Sequence, residues 1–216
     1  KKDIRHWLGF LTRQERPFKV NIWRNLFKNL ATNLTYQYQP IYISSLGATP
    51  LVLGYINSIS GAVNTLLAIP TGVLEDKFGI KRVLLMTLAI SIMSAMLFGL
   101  SSTWEIAAVA LVLSAVSFIL DRTVCPMICG STLASEERVT GIGICDTVSF
   151  FPQIIAPIIG ASLITYFGGM NATGIKPLYW LQTLGLVVSG LIVWFKFDNP
   201  RQHQIGGREG GFLSNL

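Results

Sequence analysis

Long uncharged stretches on either side of one short charged segment constrain this chain more than any other feature. Residues 29–74 and 83–104 contain no Asp, Glu, Lys or Arg. The segment between them carries Glu75, Asp76, Lys77, Lys81 and Arg82. Because about twenty apolar residues suffice to cross a bilayer as a helix, the pattern predicts membrane spans joined by a turn at the membrane surface.

The composition agrees with a membrane protein. Charged residues make up 13% of the chain and hydrophobic residues 51%, whereas soluble domains carry roughly 25% charged residues. A net charge of +6 could indicate nucleic acid, but the basic residues flank the apolar runs. The lipid bilayer is therefore the expected partner, and no nucleic acid is expected.

Six apolar segments divide the chain, which predicts an all-α, multi-spanning fold. The first segment is polar, and it is retained as a span because polar residues inside a membrane can face an aqueous cavity. Residues 1–19 are predicted to form a basic tail, either an interfacial helix or a disordered segment. Residues 20–197 are predicted to form the bundle, and residues 198–216 to begin a cytoplasmic linker. The predicted spans are 23–45, 51–74, 83–100, 106–133, 139–167 and 177–195, with a loop at 168–176.

The distribution of Lys and Arg orients the predicted spans. Most of the basic residues fall on one side of the predicted bundle. They are those up to Lys28, those in the join between spans two and three, Arg138 and those of the C-terminal tail. Only Lys176 falls in a loop on the other side. By the positive-inside rule, both termini are expected in the cytoplasm and the protein in the plasma membrane.

Three ionisable residues, Asp121, Arg122 and Asp146, interrupt the fourth and fifth segments. A charge at the bilayer centre costs roughly 2.5–3.5 kcal/mol on insertion scales, so each should have a partner or face water. Arg122 and Asp146 lie at similar distances from the join near residue 135, which predicts that they pair. Asp121 points about 100° away from Arg122 around the helix and is left for another role. The residues form either a proton- or substrate-linked site or a structural ion pair.

The first segment carries a polar face that could line a cavity. Asn33, Tyr36, Gln37 and Pro40 fall near one side of a helix. They could bind a solute, or they could make hydrogen bonds between helices.

The three cysteines, Cys125, Cys129 and Cys145, all fall in apolar stretches. We expect them to be reduced and buried rather than part of a disulfide framework. Both histidines, His6 and His203, lie in the tails. No metal site and no cofactor are therefore expected.

The charged segment resembles the signature loop of the major facilitator superfamily, G-x-L-x-D-R-x-G-R-[KR] after the second span. The chain departs from that pattern at Lys77 and Ile80, and the adjacent Lys81 and Arg82 restore the charge. The resemblance implies a gating role for the loop. The residues that carry the resemblance are Gly72, Leu74, Asp76, Lys77, Gly79, Lys81 and Arg82.

Two further segments are similar to motifs of the same family. Residues 156–161 are similar to a packing motif of its antiporters, with Pro157 and Gly160 at the matching positions. Arg122 resembles the fourth-span arginine of a motif whose implied role is proton coupling. Cys125 and Pro126 replace that motif's Gln and Gly.

The resemblance covers residues 20–200 and implies the six-helix N-terminal half, a 3+3 repeat, of a twelve-span transporter. A second six-helix bundle is then missing from this chain. The expected function is secondary transport of a small-molecule substrate by alternating access, with proton-coupled efflux as the specific expectation. A non-transporting receptor or partner subunit is the alternative. An enzyme is not expected, because an intramembrane protease needs a Ser–His pair and no histidine lies in a span.

Overall fold

A computed structural model of the chain describes residues 16–133 and 136–197, apart from the side chains of residues 69, 72–77 and 131. Residues 1–15 of the predicted tail (1–19) and the whole of the predicted linker (198–216) lie outside the described residues. The described residues form seven α-helices joined by short turns. These are α1 (Arg16–Tyr36), α2 (Gln39–Ser45), α3 (Pro50–Phe78), α4 (Ile80–Leu100), α5 (Trp104–Thr132), α6 (Arg138–Tyr166) and α7 (Ala172–Lys196).

Five of these helices, α3 to α7, are long and apolar enough to cross a membrane. Their mean hydropathy ranges from 1.4 to 2.3. On α6, large apolar side chains such as Phe150, Ile154 and Ile158 are exposed, as expected for a surface in contact with lipid. The prediction of an all-helical, multi-spanning membrane fold is confirmed.

Helix boundaries differ from the prediction in three places. The predicted first span is two helices, α1 and α2, with a break at Gln37 and Tyr38. The charged segment is helical as far as Phe78, so the turn is confined to Gly79, whose φ of +77° suits a glycine. The sixth helix of the predicted bundle begins at Ala172, inside the predicted loop, because the Asn171 side chain accepts a hydrogen bond from the Gly174 N–H and caps the helix.

The helices pack as two related groups of three. Helix α1 packs on α7 and α6, and α5 makes the equivalent contacts with α4 and α3. Helices α4 and α7 pack on each other at the centre. A rotation that exchanges α1 with α5, α3 with α6 and α4 with α7 therefore reproduces the contact pattern, as a 3+3 repeat requires.

Two apolar cores stabilise opposite ends of the bundle. One contains Phe18, Leu84 and Ile128 near the start of α1, and the other contains Tyr42 and Phe98 near its far end. Polar contacts lie between the two cores, among them a 2.7 Å hydrogen bond between Thr35 Oγ1 and Gln182 Oε1 and the contact of Ser91 with Ser117. The bundle thus has a polar layer at mid-depth.

Helices α1 and α6 approach each other closely at a glycine. A Cβ atom on Gly160 would lie 2.6 Å from the Leu34 carbonyl oxygen and 2.9 Å from the Tyr38 ring. One turn earlier on α6, the Pro157 carbonyl accepts a 2.6 Å hydrogen bond from the Tyr38 hydroxyl. Of the two residues of the predicted packing motif, Gly160 therefore contacts α1 at Leu34 and Pro157 contacts Tyr38 at the break that follows α1.

Replacing Gly160 by Ala should separate these helices. We expect Gly160→Ala to lower the free energy of unfolding by about 1–3 kcal/mol, because the new methyl group would overlap a backbone carbonyl that has little freedom to move. Thermal unfolding of the purified chain in detergent measures the change.

Gly143→Ala is the matched control on the same helix. A Cβ atom there meets nothing within 4 Å, so the substitution should be neutral or stabilise the helix by up to about 1 kcal/mol. Equal melting temperatures for the two variants would contradict the close packing of α1 on α6.

Candidate functional site

Three charged side chains meet inside the bundle, and we call them the charge cluster: Arg24, Lys28 and Asp121. Arg24 and Lys28 lie four residues apart, so they share one face of α1 and point towards α5. Asp121 of α5 accepts from both of them: its Oδ1 lies 2.7 Å from Arg24 Nη2, and its Oδ2 lies 2.5 Å from Lys28 Nζ. The exposed fractions of the three side chains are 1%, 9% and 16%.

The cluster is centred deep in the bundle. Asp121 lies eleven residues before the end of α5 and Lys28 twelve residues after the start of α1. The start of α1 and the end of α5 lie at the same end of the bundle. At about 1.5 Å per residue, Lys28 and Asp121 both lie roughly 16–18 Å from that end.

Further polar contacts fix the arginine. Arg24 Nη2 also donates to Asn25 Oδ1 at 2.6 Å, and the Ser189 hydroxyl of α7 donates to the Arg24 carbonyl oxygen at 3.3 Å. Within the described part of the chain, Arg24 Nε and Nη1 have no hydrogen-bond partner. When both basic side chains are protonated, two cations share one carboxylate and the buried cluster carries an excess of one positive charge.

The predicted pair of Arg122 and Asp146 does not form, and that prediction was wrong. The Arg122 guanidinium lies over the Phe118 ring, 5.7 Å from its centroid, and Asp146 is exposed on α6. Within residues 16–133 and 136–197, neither makes an ion pair. The two residues have similar depth but lie on faces of α5 and α6 that do not meet, whereas Asp121 lies on the face of α5 that contacts α1.

A cavity of about 450 Å³ opens next to the charge cluster. Its walls come from α1 to α5 and from Gln182 of α7, and most of its lining side chains carry a hydroxyl or amide group. Lys28 is the charged residue among them. The polar lining residues are Lys28, Thr32, Tyr36, Gln37, Gln39, Asn57, Ser60, Asn64, Ser91, Ser94, Ser114, Ser117 and Gln182.

Three of the four predicted cavity residues reach this space. Tyr36, Gln37 and Pro40 line the cavity. Asn33 is buried elsewhere on the helix, with its Nδ2 donating to the Asn29 carbonyl oxygen at 2.8 Å. The prediction for Asn33 was wrong because α1 is buried on more than one side, so a polar residue can face a neighbouring helix.

The break between α1 and α2 helps to shape the cavity wall. Pro40 lies in the first turn of α2, where its missing N–H costs no helical hydrogen bond. Tyr36 and Gln37 at the break are exposed to the cavity.

The described part of the predicted gating loop contacts α7. Lys81 donates to the Trp194 carbonyl oxygen at 3.4 Å, near the C-terminal end of α7, where a cation is favourable. Arg82 is exposed. The side chains of Asp76 and Lys77 lie outside the described residues, as does the environment of Gly72.

The cysteines depart from the prediction. Cys125 of α5 and Cys145 of α6 form a disulfide, and Cys129 is a free, buried thiol whose Sγ lies 3.9 Å from Cys125 Sγ. The prediction treated each apolar stretch by itself. It missed that α6 runs back along α5 and brings Cys145 onto the face shared by Cys125 and Cys129.

The helices and the cavity define a multi-pass membrane protein that encloses a polar space at mid-depth. A family model of the Major Facilitator Superfamily matches residues 27–214. The chain therefore belongs to the major facilitator superfamily, as the charged segment predicted.

Two known proteins show how much of a family member this chain contains. It is 26% identical over 166 residues to the "Probable galactarate/D-glucarate transporter GudP" of Escherichia coli (strain K12), covering 73% of this chain and 35% of that protein. Its fold matches the crystal structure of the human organic anion transporter MFSD10 (TETRAN) with a TM-score of 0.68 at 16% identity, covering 86% of this chain and 48% of that one. The chain thus spans about a third of the first protein and about half of the second.

The charge cluster should dominate the stability of the bundle. We expect Asp121→Asn to lower the free energy of unfolding by roughly 3–5 kcal/mol, because it leaves two buried cations facing a neutral amide. Thermal unfolding in detergent, followed by tryptophan fluorescence, measures the effect.

Asp146→Asn makes the same chemical change at an exposed position of α6. It should change the free energy of unfolding by no more than about 0.5 kcal/mol. If both variants unfolded at the wild-type temperature, Asp121 would not hold α1 in place.

Proposed function

We propose that this chain is one half of a secondary transporter that moves a small hydroxylated organic anion by alternating access. The observation that carries the proposal is Lys28: it belongs to a buried cluster with one excess positive charge, and its side chain lines the cavity. No enzymatic activity forms part of the proposal.

The excess charge favours an anionic solute. A buried charge without a counter-ion is unfavourable by several kcal/mol, so the cluster is most stable when a negative group approaches from the cavity. Lys28 is the member of the cluster that a solute can reach. A carboxylate in the cavity would therefore bind next to Lys28 Nζ.

The rest of the lining favours a solute with hydroxyl groups. Ser60, Ser94 and Ser114 offer hydroxyls that both donate and accept, and Asn57 and Asn64 add amides. Asn64 lines the cavity, and its buried Oδ1 has no hydrogen-bond partner within the described residues. The similarity to a protein named for galactarate and D-glucarate, which are hydroxylated dicarboxylates, supports the same class.

A second six-helix bundle would complete the cavity. The polar space lies against α1, α3 and α5 and is partly open, and the matched proteins are each about twice as long as this chain. We place the protein in the plasma membrane with both termini in the cytoplasm, because the basic residues outside the bundle collect on that side. The loop from Gly72 to Arg82, with Asp76 at its centre, would then gate the cytoplasmic side. A receptor built on the same bundle is the alternative, and flux assays distinguish the two.

Asp121 provides a route to proton coupling. A substrate carboxylate and Asp121 compete for Lys28. While Arg24 and Lys28 both contact Asp121 they oppose its protonation, so Asp121 would take up a proton when the substrate anion takes over Lys28. Proton and anion would then bind together and move in the same direction. This coupling replaces the proton-exchange efflux that the family motifs implied, and it gives Arg122 and Asp146 no direct part.

Lys28→Gln tests the substrate class. The variant keeps the balanced pair of Arg24 and Asp121, so the fold should survive. Binding of galactarate should weaken at least roughly thirtyfold, the equivalent of about 2 kcal/mol, because the contact to a buried charge is lost. Counterflow of labelled galactarate in proteoliposomes that contain this chain with its second bundle measures the loss.

Lys196→Gln is the control, because Lys196 is exposed at the end of α7, away from the cavity. It should transport galactarate at the wild-type rate. Full counterflow in the Lys28→Gln variant would contradict the proposal.

The double variant Arg24→Gln with Asp121→Asn tests the coupling. It removes the carboxylate that would take up the proton but keeps Lys28 and the single excess positive charge. We expect galactarate counterflow to persist while its dependence on pH is lost. A wild-type pH profile in this double variant would show that the coupling proton binds elsewhere.

A further inference from the structure

Three cysteine sulfurs converge where α5 and α6 meet, outside the cavity. The sulfurs of Cys125, Cys129 and Cys145 all lie within 4.8 Å of one another. Cys129 and Cys145 are almost completely buried, and Cys125 is partly buried. The Asn21 amide of α1 lies beside them, with its Nδ2 3.8 Å from Cys145 Sγ. Three sulfurs grouped in this way, one atom from each residue, match the coordination of one thiophilic centre.

The cluster lies near one end of the bundle rather than at its middle. Cys129 lies three residues before the end of α5, and Cys145 lies seven residues after the start of α6. These positions are roughly 5–10 Å from the helix ends at about 1.5 Å per residue. The sulfurs therefore lie close to one end of the bundle.

The surroundings select for a neutral complex. Thiolate sulfurs prefer soft ions such as Cu(I) and also bind zinc. Three thiolates give a net charge of minus two with Cu⁺ and minus one with Zn²⁺. Burying such an anion is unfavourable, and the Asp146 carboxylate, which acts electrostatically on Cys129, disfavours further negative charge. Trivalent arsenic with three thiolates has no net charge.

We propose that, in the reduced chain, Cys125, Cys129 and Cys145 bind one atom of trivalent arsenic, supplied as arsenite. Arsenous acid exchanges its three hydroxyl groups for the three sulfurs: As(OH)₃ + 3 RSH → As(SR)₃ + 3 H₂O. Three As–O bonds and three S–H bonds break, and three As–S bonds form. The leaving hydroxyl groups take the thiol protons as water, and no atom changes oxidation state.

The disulfide and the arsenic site exclude each other, because both need the sulfurs of Cys125 and Cys145. A small cellular thiol of the glutathione type would open the site by exchange. One protein disulfide and two such thiols then give two protein thiols and one small-molecule disulfide, which balances the electrons. Arsenic binding should therefore depend on the redox state of the chain, independently of whether the proposed transport function is correct.

The test is arsenite binding to the purified chain in detergent. The chain is reduced with a phosphine, freed of reductant, incubated with sodium arsenite and passed over a desalting column. Intact mass spectrometry and titration of free thiols should show one arsenic atom per chain and the protection of all three thiols. The oxidised chain should bind none, and reduction should restore binding.

Cys129→Ala separates a three-sulfur site from simple capture by two thiols. The variant keeps Cys125 and Cys145, and it should release arsenic to dithiothreitol roughly 10²-fold more readily, because one intramolecular contact is lost. Cys145→Ala, checked for folding by its thermal transition, should behave in the same way.

Three results would overturn the proposal. The first is that the reduced wild-type chain binds no arsenic. The second is that the wild type and the Cys129→Ala variant retain arsenic equally. The third is that the reduced chain retains Cu(I) or Zn²⁺ under the same conditions in place of arsenic.

Discussion

The bundle depends on one carboxylate that is shared by two cations. Asp121 of α5 binds Arg24 and Lys28 of α1 at 2.7 and 2.5 Å, inside a membrane protein where each unpaired ion would be unfavourable by several kcal/mol. Helix α1 is too polar to meet the hydropathy criterion that α3 to α7 satisfy. Its position therefore rests on polar contacts to neighbouring helices, and the charge cluster is the strongest of them.

The same arrangement connects the fold to the proposed function. A neutral ion pair would only join two helices, but two cations with one carboxylate leave a positive charge beside a cavity lined by hydroxyl and amide groups. The break between α1 and α2 opens the wall of that cavity at Tyr36 and Gln37. Under the proposed function, stability and solute binding would use the same residues, and a solute anion would balance the positive charge of the cluster.

Much of the fold could be predicted from the sequence, because uncharged runs of about twenty residues have few alternatives to membrane-spanning helices. The family of the chain also followed from the short charged segment. The positive-inside count places Arg24 and Lys28 on the cytoplasmic side, because a basic residue near the N-terminus of a membrane protein usually lies in the cytoplasm. Their spacing of four residues, on a helix that continues to Tyr36, was the available signal for a buried pair.

The partners of buried polar groups could not be predicted, because they depend on how helices rotate against one another. Arg122 and Asp146 have matching depths in the sequence but lie on faces that do not meet. Cys125 and Cys145 are twenty residues apart and join only because α5 and α6 run side by side. Depth along a helix can be counted from the sequence, whereas the direction that a side chain faces needs the packing of the whole bundle.

The most direct test of the central claim compares two ligands that differ in charge. Galactarate and galactitol share a six-carbon hydroxylated chain, but galactarate carries two carboxylates and galactitol carries none. Isothermal titration of each ligand into the chain with its second bundle in lipid nanodiscs measures how far the cavity depends on charge. The charge cluster predicts that galactarate binds and that galactitol binds at least about tenfold more weakly, a difference of roughly 1.4 kcal/mol or more. Equal affinity for the two ligands would contradict it.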